Sequence, residues 1–368
     1  MRIAMDEQIF AVQEFGGISR QFSELAEQFT TDPSHDVDLQ PLNAPVINHY
    51  LLDDPVLAAA LKVKRAPGSY NALFHYFAHG RRNAEIDLVH STFYLPRGLA
   101  DYPGVPMVMT VHDMIPEIIP NTRRRLDFIT MKRRYIAKAS HIICVSESTK
   151  RDVLRIYGQV DAPITVVHHG VDEIFRPDVA RIPGFPDEYL VFVGNRGAYK
   201  DANTLLRAFK VVHGEFPDFA LIFVGGGAFT KSEAQEIANL GLSEKVHQVS
   251  LTEGEMAGAY AHATVCVFPS QYEGFGLPAL EAMACGTALI LADSSSLPEV
   301  GGEAACYFPP GDSVKLSVQL RWLLSEPRER ERLSTLGLIR AKEFTWGRTA
   351  SETAKVYART INEFSGSQ

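Results

Sequence analysis

The feature that most limits what this chain can become is a recurring pair: a short apolar run without alternation, then a turn and a helical pattern. "IDLVHS" (86–91), "VPMVMTVHD" (105–113), "SHIICVSES" (140–148) and "ITVVHHG" (164–170) open the units of the first half. "YLVFVGN" (189–195), "ALIFVGGG" (220–227), "ATVCVFPS" (263–270), "ALILAD" (288–293) and "ACYFPPG" (305–311) do so in the second. Runs rich in Val, Ile and Phe on both faces suit parallel strands covered by helices on both sides. Helical text lies between them, as in 201–216 and 276–286. Strand, helix, strand in repetition predicts an α/β fold built on doubly wound sheets.

Length sets the number of sheets. At 368 residues the chain exceeds one typical domain, and either half can bury a core. The segment 172–188 holds three prolines and no apolar period, so it marks the break. The reading is two Rossmann-like domains, 1–171 and 172–349. Ligands in such folds bind beyond the carboxyl ends of the strands, so the residues that follow strands carry the functional information.

Composition removes several classes. A net charge of −8 argues against a general nucleic-acid binder. The four cysteines form no C-x-x-C pair and no zinc-ligand cluster, which predicts buried free thiols in a reducing compartment. Asp6 and Glu7 interrupt any apolar leader, and no apolar run reaches about 18 residues. The expected location is cytoplasmic. Asp36-Val37-Asp38 is a D-x-D, a pattern that elsewhere binds a divalent metal, but it lies far from the other motifs. It reads as a turn, and no metal or other cofactor is expected.

The densest text is "FPSQYEGFGLPALEAMACGTALI" (268–290). A strand ends at Phe268, and a loop with Glu273, Gly274 and Gly276 leads through Leu277-Pro278 into a helix. Proline starts helices well, glycine lets backbone approach a ligand, and the helix N-terminus suits a phosphate. Glu273 and Glu281, eight residues apart, can receive hydrogen bonds from two polyols. By residue type alone, Glu273 as a cap and Glu281 as a solvated helix residue serve equally well. A second loop, "VFVGNRGAYKD" (191–201), carries Arg196 and Lys200, cations able to stabilise a departing phosphate. A third, "LIFVGGGAF" (221–229), fails as a dinucleotide fingerprint and reads as a tight turn or a close approach to a ligand. In the first half, Gly16-Gly17 feeds a helix N-terminus, and His112-Asp113 follows a strand. Here a packed His and an Asp N-cap are the plain alternatives.

Taken together, these segments resemble the retaining glycosyltransferases of family 4, which have the GT-B fold: two Rossmann-like domains facing across a cleft. The segment 268–290 looks like the family's Glu-x7-Glu signature. The resemblance implies that Glu273 lies by the donor sugar and that Glu281 holds the nucleotide ribose. It implies that the backbone of Gly274, Phe275, Gly276 and Leu277 meets sugar and diphosphate. Lys200 and Arg196 correspond to the family's phosphate-facing cations, with Asn195 at the usual Arg position. Gly225 corresponds to a glycine run near the nucleotide and Val249 to a base-contacting segment, where it replaces a frequent glycine. Gly16 and Gly17 resemble the first glycine loop, beside the donor phosphates, and His112 a residue near the donor sugar. His169 replaces an Asn at the domain junction. The terminal text resembles a closing helix (about 350–368) that returns to the acceptor-binding first domain.

The implied reaction is retaining transfer of a hexose to a glycan or lipid-linked acceptor, without a metal and with domain closure excluding water. The text around His112 resembles bacterial surface-polysaccharide mannosyltransferases, which favours GDP-mannose as donor. The basic group Arg123, Arg124, Arg125, Lys132, Arg133 and Arg134 reads as a solvated face or a peripheral membrane contact. Three rival classes remain: a sugar-nucleotide 2-epimerase, a non-catalytic sugar-binding protein, and a nicotinamide oxidoreductase. The last lacks its glycine fingerprint here.

Overall fold

The computed structural model describes residues 1–42, 44–68, 85–96, 98–119 and 125–366. Their contacts divide the chain into two compact units, Met1–Gly170 with Trp346–Gln368, and Val171–Thr345. Each is a three-layer α/β body with a six-stranded parallel sheet.

In the first unit the strands are β1 (Arg2–Met5), β2 (Asp38–Leu39), β3 (Leu88–Ser91), β4 (Met107–Val111), β5 (His141–Cys144) and β6 (Ile164–Val166), in the order β2-β1-β3-β4-β5-β6. The second unit contributes β7 (Tyr189–Val193), β8 (Ala220–Val224), β9 (Val246–Val249), β10 (Val265–Phe268), β11 (Leu289–Ala292) and β12 (Ala305–Phe308), in the order β12-β11-β10-β7-β8-β9. The central strands β4, β7 and β8 are buried at every residue, while the edge strands β2 and β9 are not. That is the pattern the non-alternating runs encode.

Strand order fixes where chemistry can sit. In the second unit the order reverses between β7 and β10, and in the first between β1 and β3. A crevice opens at the carboxyl ends of such neighbours, because their following helices go to opposite faces. The residues after β7 and β10 therefore converge, as do those after β1 and β3.

Three local expectations change. The proline-rich segment after Val171 is no free spacer. Phe175 is buried with its ring edge on Tyr260, and the Val179 carbonyl lies 2.9 Å from His262 Nε2. Gly258 is required there, because a side chain would strike the Ala180 carbonyl at 2.6 Å. The closing helix begins at Trp346 and buries a face that includes Ala350, Ala354 and Tyr357. Tyr357 Oη lies 2.7 Å from His90 Nδ1, whose Nε2 lies 2.8 Å from Thr110 Oγ1, so the helix is tied to β3 and β4. Strand β1 was hidden by its charged start: Arg2 pairs with Glu85 at 2.8 Å and with Asp87 at 2.9 Å. Asp36 takes a left-handed turn at φ 53 and Asp38 begins β2, so this D-x-D is a turn into an edge strand. All four cysteines are buried and free, and burial raises each thiol's pKa, that of Cys144 and Cys285 to about 12.

Candidate active site

In the second unit β7 runs into a loop that closes with a 3-10 turn at Ala198–Lys200. Asp201, at φ 51, caps the helix Ala202–His213. Beside it β10 runs into residues 269–276 and the helix Leu277–Ala284. The two loops are stitched together: Gln271 N–H donates to the Tyr199 carbonyl at 2.7 Å, and the Gln271 amide to Asp201 at 3.3 Å. This stitch brings Lys200 onto Glu273, with Nζ 2.6 Å from Oε1 and both side chains largely buried. The two residues lie 73 positions apart in sequence, and the switch point makes them neighbours.

The second loop is braced by residues that the sequence did not single out. After β11 the chain reads Ser294-Ser295-Ser296. Ser296 Oγ, fully buried, donates to the carbonyls of Glu273 at 3.0 Å and Phe275 at 2.8 Å. Ser295 Oγ accepts from Glu273 N–H at 2.7 Å, and Ser294 Oγ donates to the Ser270 carbonyl at 2.8 Å. The signal available was three hydroxyls at the carboxyl end of a strand. Gly274 and Phe275 are buried in this braced loop. Gly276 sits at φ 104, and a side chain there would press on Leu297 at 3.1 Å. No side chain caps the helix that starts at Leu277; Pro278 has no N–H, and the Ala279 and Leu280 N–H groups donate to the Gly276 carbonyl at 3.0 and 3.2 Å, so the amide this helix end offers is that of Leu277.

Glu281, further along that helix, accepts a 3.0 Å hydrogen bond from Tyr260. Tyr260 is buried, and burial first and the Glu281 carboxylate second push its phenol well above its usual pKa. A neutral hydroxyl thus fixes one carboxylate oxygen of Glu281. Tyr260 comes from a different helix, Glu253–Ala261, so no sequence spacing reveals it.

Arg196 serves a purpose the sequence did not indicate. Its Nε reaches Glu233 at 2.7 Å. Its terminal nitrogens donate to the carbonyls of Gly225 and Gly227 at 2.9 Å and of Ala228 at 3.1 Å, and its plane lies over the Phe229 ring. Gly225, Gly226 and Gly227 all have positive φ, which turns those carbonyls onto the guanidinium. Burial raises the Glu233 carboxyl, but the bonds from Arg196 and Thr230 outweigh it and its pKa is lowered. In this geometry Arg196 clamps the glycine run. Asn195 Oδ1 accepts from Gly197 N–H at 3.2 Å, and the Val249 carbonyl accepts from Gly225 N–H at 3.0 Å. Both therefore shape the same loop cluster.

In the first unit His112, 8% exposed, follows β4. Its ring lies 6.2 Å from that of His169 at an interplanar angle of 18°, and Phe22 meets it edge-on. Burial first, then the neighbouring His169, His90 and Lys132, hold its pKa well below the ordinary value. Among the described residues His112 Nε2 has no hydrogen-bond partner. Asp113 bonds Ile115 N–H at 2.9 Å, a local turn role. Gly16 is extended at φ 163, and Gly17 begins the helix Gly17–Thr31. That helix N-terminus is already partly filled, because Gln13 Oε1 accepts from Ser19 N–H at 3.0 Å. Gly16 makes room for the Gln13 amide, which a side chain would strike at 2.5 Å.

The basic group on the helix Arg125–Lys138 needs correction. Lys132 is 3% exposed, with Nζ 3.0 Å from Glu117 and 2.9 Å from the Asp113 carbonyl. It belongs to the interior and offers nothing to a membrane. Arg133 and Arg134 are exposed, whereas Arg123, Arg124 and the Arg125 side chain lie outside the described residues. Among the described residues no helix is long and apolar enough to cross a membrane.

Comparison with known proteins agrees with this geometry. The family profile described as glycosyl transferases group 1 matches residues 177–337, and that of Glycosyltransferase Family 4 matches 15–174. An MMP alpha-(1->4)-mannosyltransferase of Mycolicibacterium hassiacum is 33% identical over 300 residues, 76% of this chain and 72% of the relative. O-antigen chain mannosyltransferase B of Escherichia coli is 28% identical over 288 residues, 72% of each chain. Among solved structures, sucrose-phosphate synthase from Thermosynechococcus elongatus superposes with a TM-score of 0.73 at 20% identity, over 98% of each chain. With two parallel Rossmann-like sheets and both profiles matched, this chain belongs to glycosyltransferase family 4, glycosyl transferases group 1, and has the GT-B fold.

Proposed function

We propose that the Val171–Thr345 unit binds a nucleoside diphosphate hexose, with GDP-mannose the favoured donor, and that the hexosyl group passes to a glycan hydroxyl with retention at the anomeric carbon. The observation that carries this reading is the Lys200–Glu273 pair set against an uncapped helix N-terminus at the β7/β10 switch point. The two mannosyltransferase relatives favour mannose.

Each side chain then has a duty. The C–O bond between anomeric carbon and diphosphate breaks, leaving negative charge on the terminal phosphate oxygen. Lys200 and the Leu277 amide at the start of the helix Leu277–Ala284 meet that charge from fixed positions, so little reorganisation accompanies the step. Glu273, held by Ser295 and Ser296, receives hydroxyls of the departing hexose. Glu281, one oxygen fixed by Tyr260, receives ribose hydroxyls with the other. Arg196 positions the glycine run instead of touching phosphate. The acceptor oxygen forms the new C–O bond, and its proton passes to the leaving phosphate on the same face, which keeps the anomeric configuration. The cations of the site come from the chain, so the reading calls for no metal.

The test is proton NMR of the reaction of GDP-mannose with a mannan oligosaccharide. The expected product is an α-linked mannosyl group formed only when acceptor is present. A β-linked product overturns retention. Loss of donor to a 2-epimeric sugar without acceptor assigns the chain to the epimerase class.

A further inference from the structure

Two helices of the Val171–Thr345 unit differ from the rest of the chain. Among the described residues, every helix of eight residues or more contains an aspartate or glutamate except Ala202–His213 and Ser313–Ser325. The chain has 44 acidic residues and a net charge of −8, so two helices without one stand apart. They carry Arg207, Lys210, Lys315 and Arg321 instead. Of the nine large hydrophobic side chains exposed among the described residues, these same helices hold four: Val211, Val314, Val318 and Trp322.

The two helices lie side by side and run the same way. At their start Gly311 adjoins Asp201, whose carboxylate a side chain at Gly311 would meet at 4.0 Å. At their end Arg321 donates to both carboxylate oxygens of Glu215, at 2.7 and 2.8 Å. Residues three or four apart share a helix face. Val211 stands one turn before Glu215, and Val314, Val318 and Trp322 follow at intervals of four. Leu316, Leu320 and Leu323 take the inner face of the second helix, so valine and tryptophan occupy its outer face. The four apolar residues thus form one patch across both helices.

Charge narrows the occupant. Asp201 and Asp312 cap the two helix starts, and Glu215 neutralises Arg321. Arg207, Lys210 and Lys315 are exposed and make no ion pair among the described residues. Lys245 adds to this field: burial first, then Lys245 and Lys210, lowers the pKa of His213. A basic face repels a second copy of itself. It suits an anionic bilayer, where valine and tryptophan enter the headgroup boundary while Arg and Lys extend their charges to the headgroups. Tryptophan is favoured at that depth.

We propose that the helices Ala202–His213 and Ser313–Ser325 dock this unit on an anionic lipid surface, with Val211, Val314, Val318 and Trp322 at the acyl boundary and Arg207, Lys210 and Lys315 on lipid phosphates. The inference stands apart from the donor reading. The face also differs from the basic group of the first unit.

Vesicle binding read through one tryptophan tests this. The chain has two tryptophans, and Trp346 is 5% exposed, so a change on docking reports Trp322. The full chain is mixed with vesicles of phosphatidylcholine, alone or with about 30% phosphatidylglycerol. It is expected to co-sediment with the anionic vesicles only, with tryptophan emission moved to shorter wavelength and shielded from acrylamide. Raising salt from about 0.05 to about 0.5 M should release it. Lys210→Gln with Lys315→Gln removes two charges and should weaken binding about thirtyfold, with an unchanged melting temperature. Arg207→Gln with Lys315→Gln is the second pair should the first not fold. Trp322→Phe should abolish the emission shift and keep most of the binding. No co-sedimentation at low salt, binding that both charge pairs leave unaltered, or binding without a change at Trp322 would overturn the assignment. Poly-L-glutamate is the second probe: a Trp322 shift with it and none with vesicles would give the face to an acidic protein partner and overturn the lipid reading.

Discussion

At the residue scale the account turns on carboxylates with unequal surroundings. Glu281 has one oxygen committed to Tyr260, so Glu281→Gln keeps that bond while removing the charge. We expect nucleoside diphosphate affinity to fall about tenfold, the worth of a hydrogen bond to a charged group, with an unchanged melting temperature in the free protein. Calorimetric titration checks both parts, and an unaltered dissociation constant would remove Glu281 from the site. Lys132 gives the contrasting case. Lys132→Met strands Glu117 in the interior, where it also accepts from Tyr157 at 2.6 Å, and should cost about 3–5 kcal/mol in urea unfolding. A cost under 1 kcal/mol would show Lys132 to be a surface residue after all. That Glu273 and Lys200 lie on loops after strands was legible in the sequence from the glycine and proline around them, whereas the roles given to them and to Glu281 came from the resemblance alone. Tyr260, Ser296 and Glu233 were not legible, because their roles depend on partners brought near only by the sheet. Arg196 was legible as a cation but not in its direction, which the positive φ of three successive glycines decides.

At the element scale, the helix Leu277–Ala284 presents its N-terminus because Gly276 turns left-handed and the serines after β11 hold the loop before it. Ser296→Ala removes a hydroxyl whose single proton is shared between two carbonyls of a buried loop. The predicted loss is about 1–3 kcal/mol of stability, with a fall in kcat larger than the change in KM for donor. If kcat and Tm both hold, the brace is not what fixes Glu273. The strands themselves were the easiest elements to read, since full burial leaves them continuous apolar runs. Their ends were read too generously: "VPMVMTVHD" yields strand only over Met107–Val111. The residues beyond each end belong to the ligand-facing loops, which apolar content cannot separate from strand. The closing helix was legible only by resemblance, for its contact with β3 runs through His90 and Tyr357, residues 267 positions apart.

At the scale of the whole molecule, acid sensitivity belongs to the first unit. Burial holds His90 and His169 at about 3 and His112 well below its ordinary value. Their unfolded value is 6.5, so between about pH 6.5 and 3 the unfolded chain binds more protons and stability falls as pH falls. His141, lowered by burial, acts in the same direction, and Asp6, raised by burial, opposes it, one group against four. A melting temperature that holds above pH 7 and declines from 6.5 to 5 is the expectation, and a flat profile would mean that these rings reach water. The central claim concerns the second unit, and a melting-temperature panel with GDP, UDP, ADP and dTDP tests it most directly, on wild type, Lys200→Ala and Glu281→Ala. At one hundred times the dissociation constant a bound nucleotide adds about 2.7 kcal/mol. The account predicts that GDP raises the wild-type melting temperature most and that both variants lose the rise; no rise with any of the four, or an undiminished rise in both variants, would contradict it.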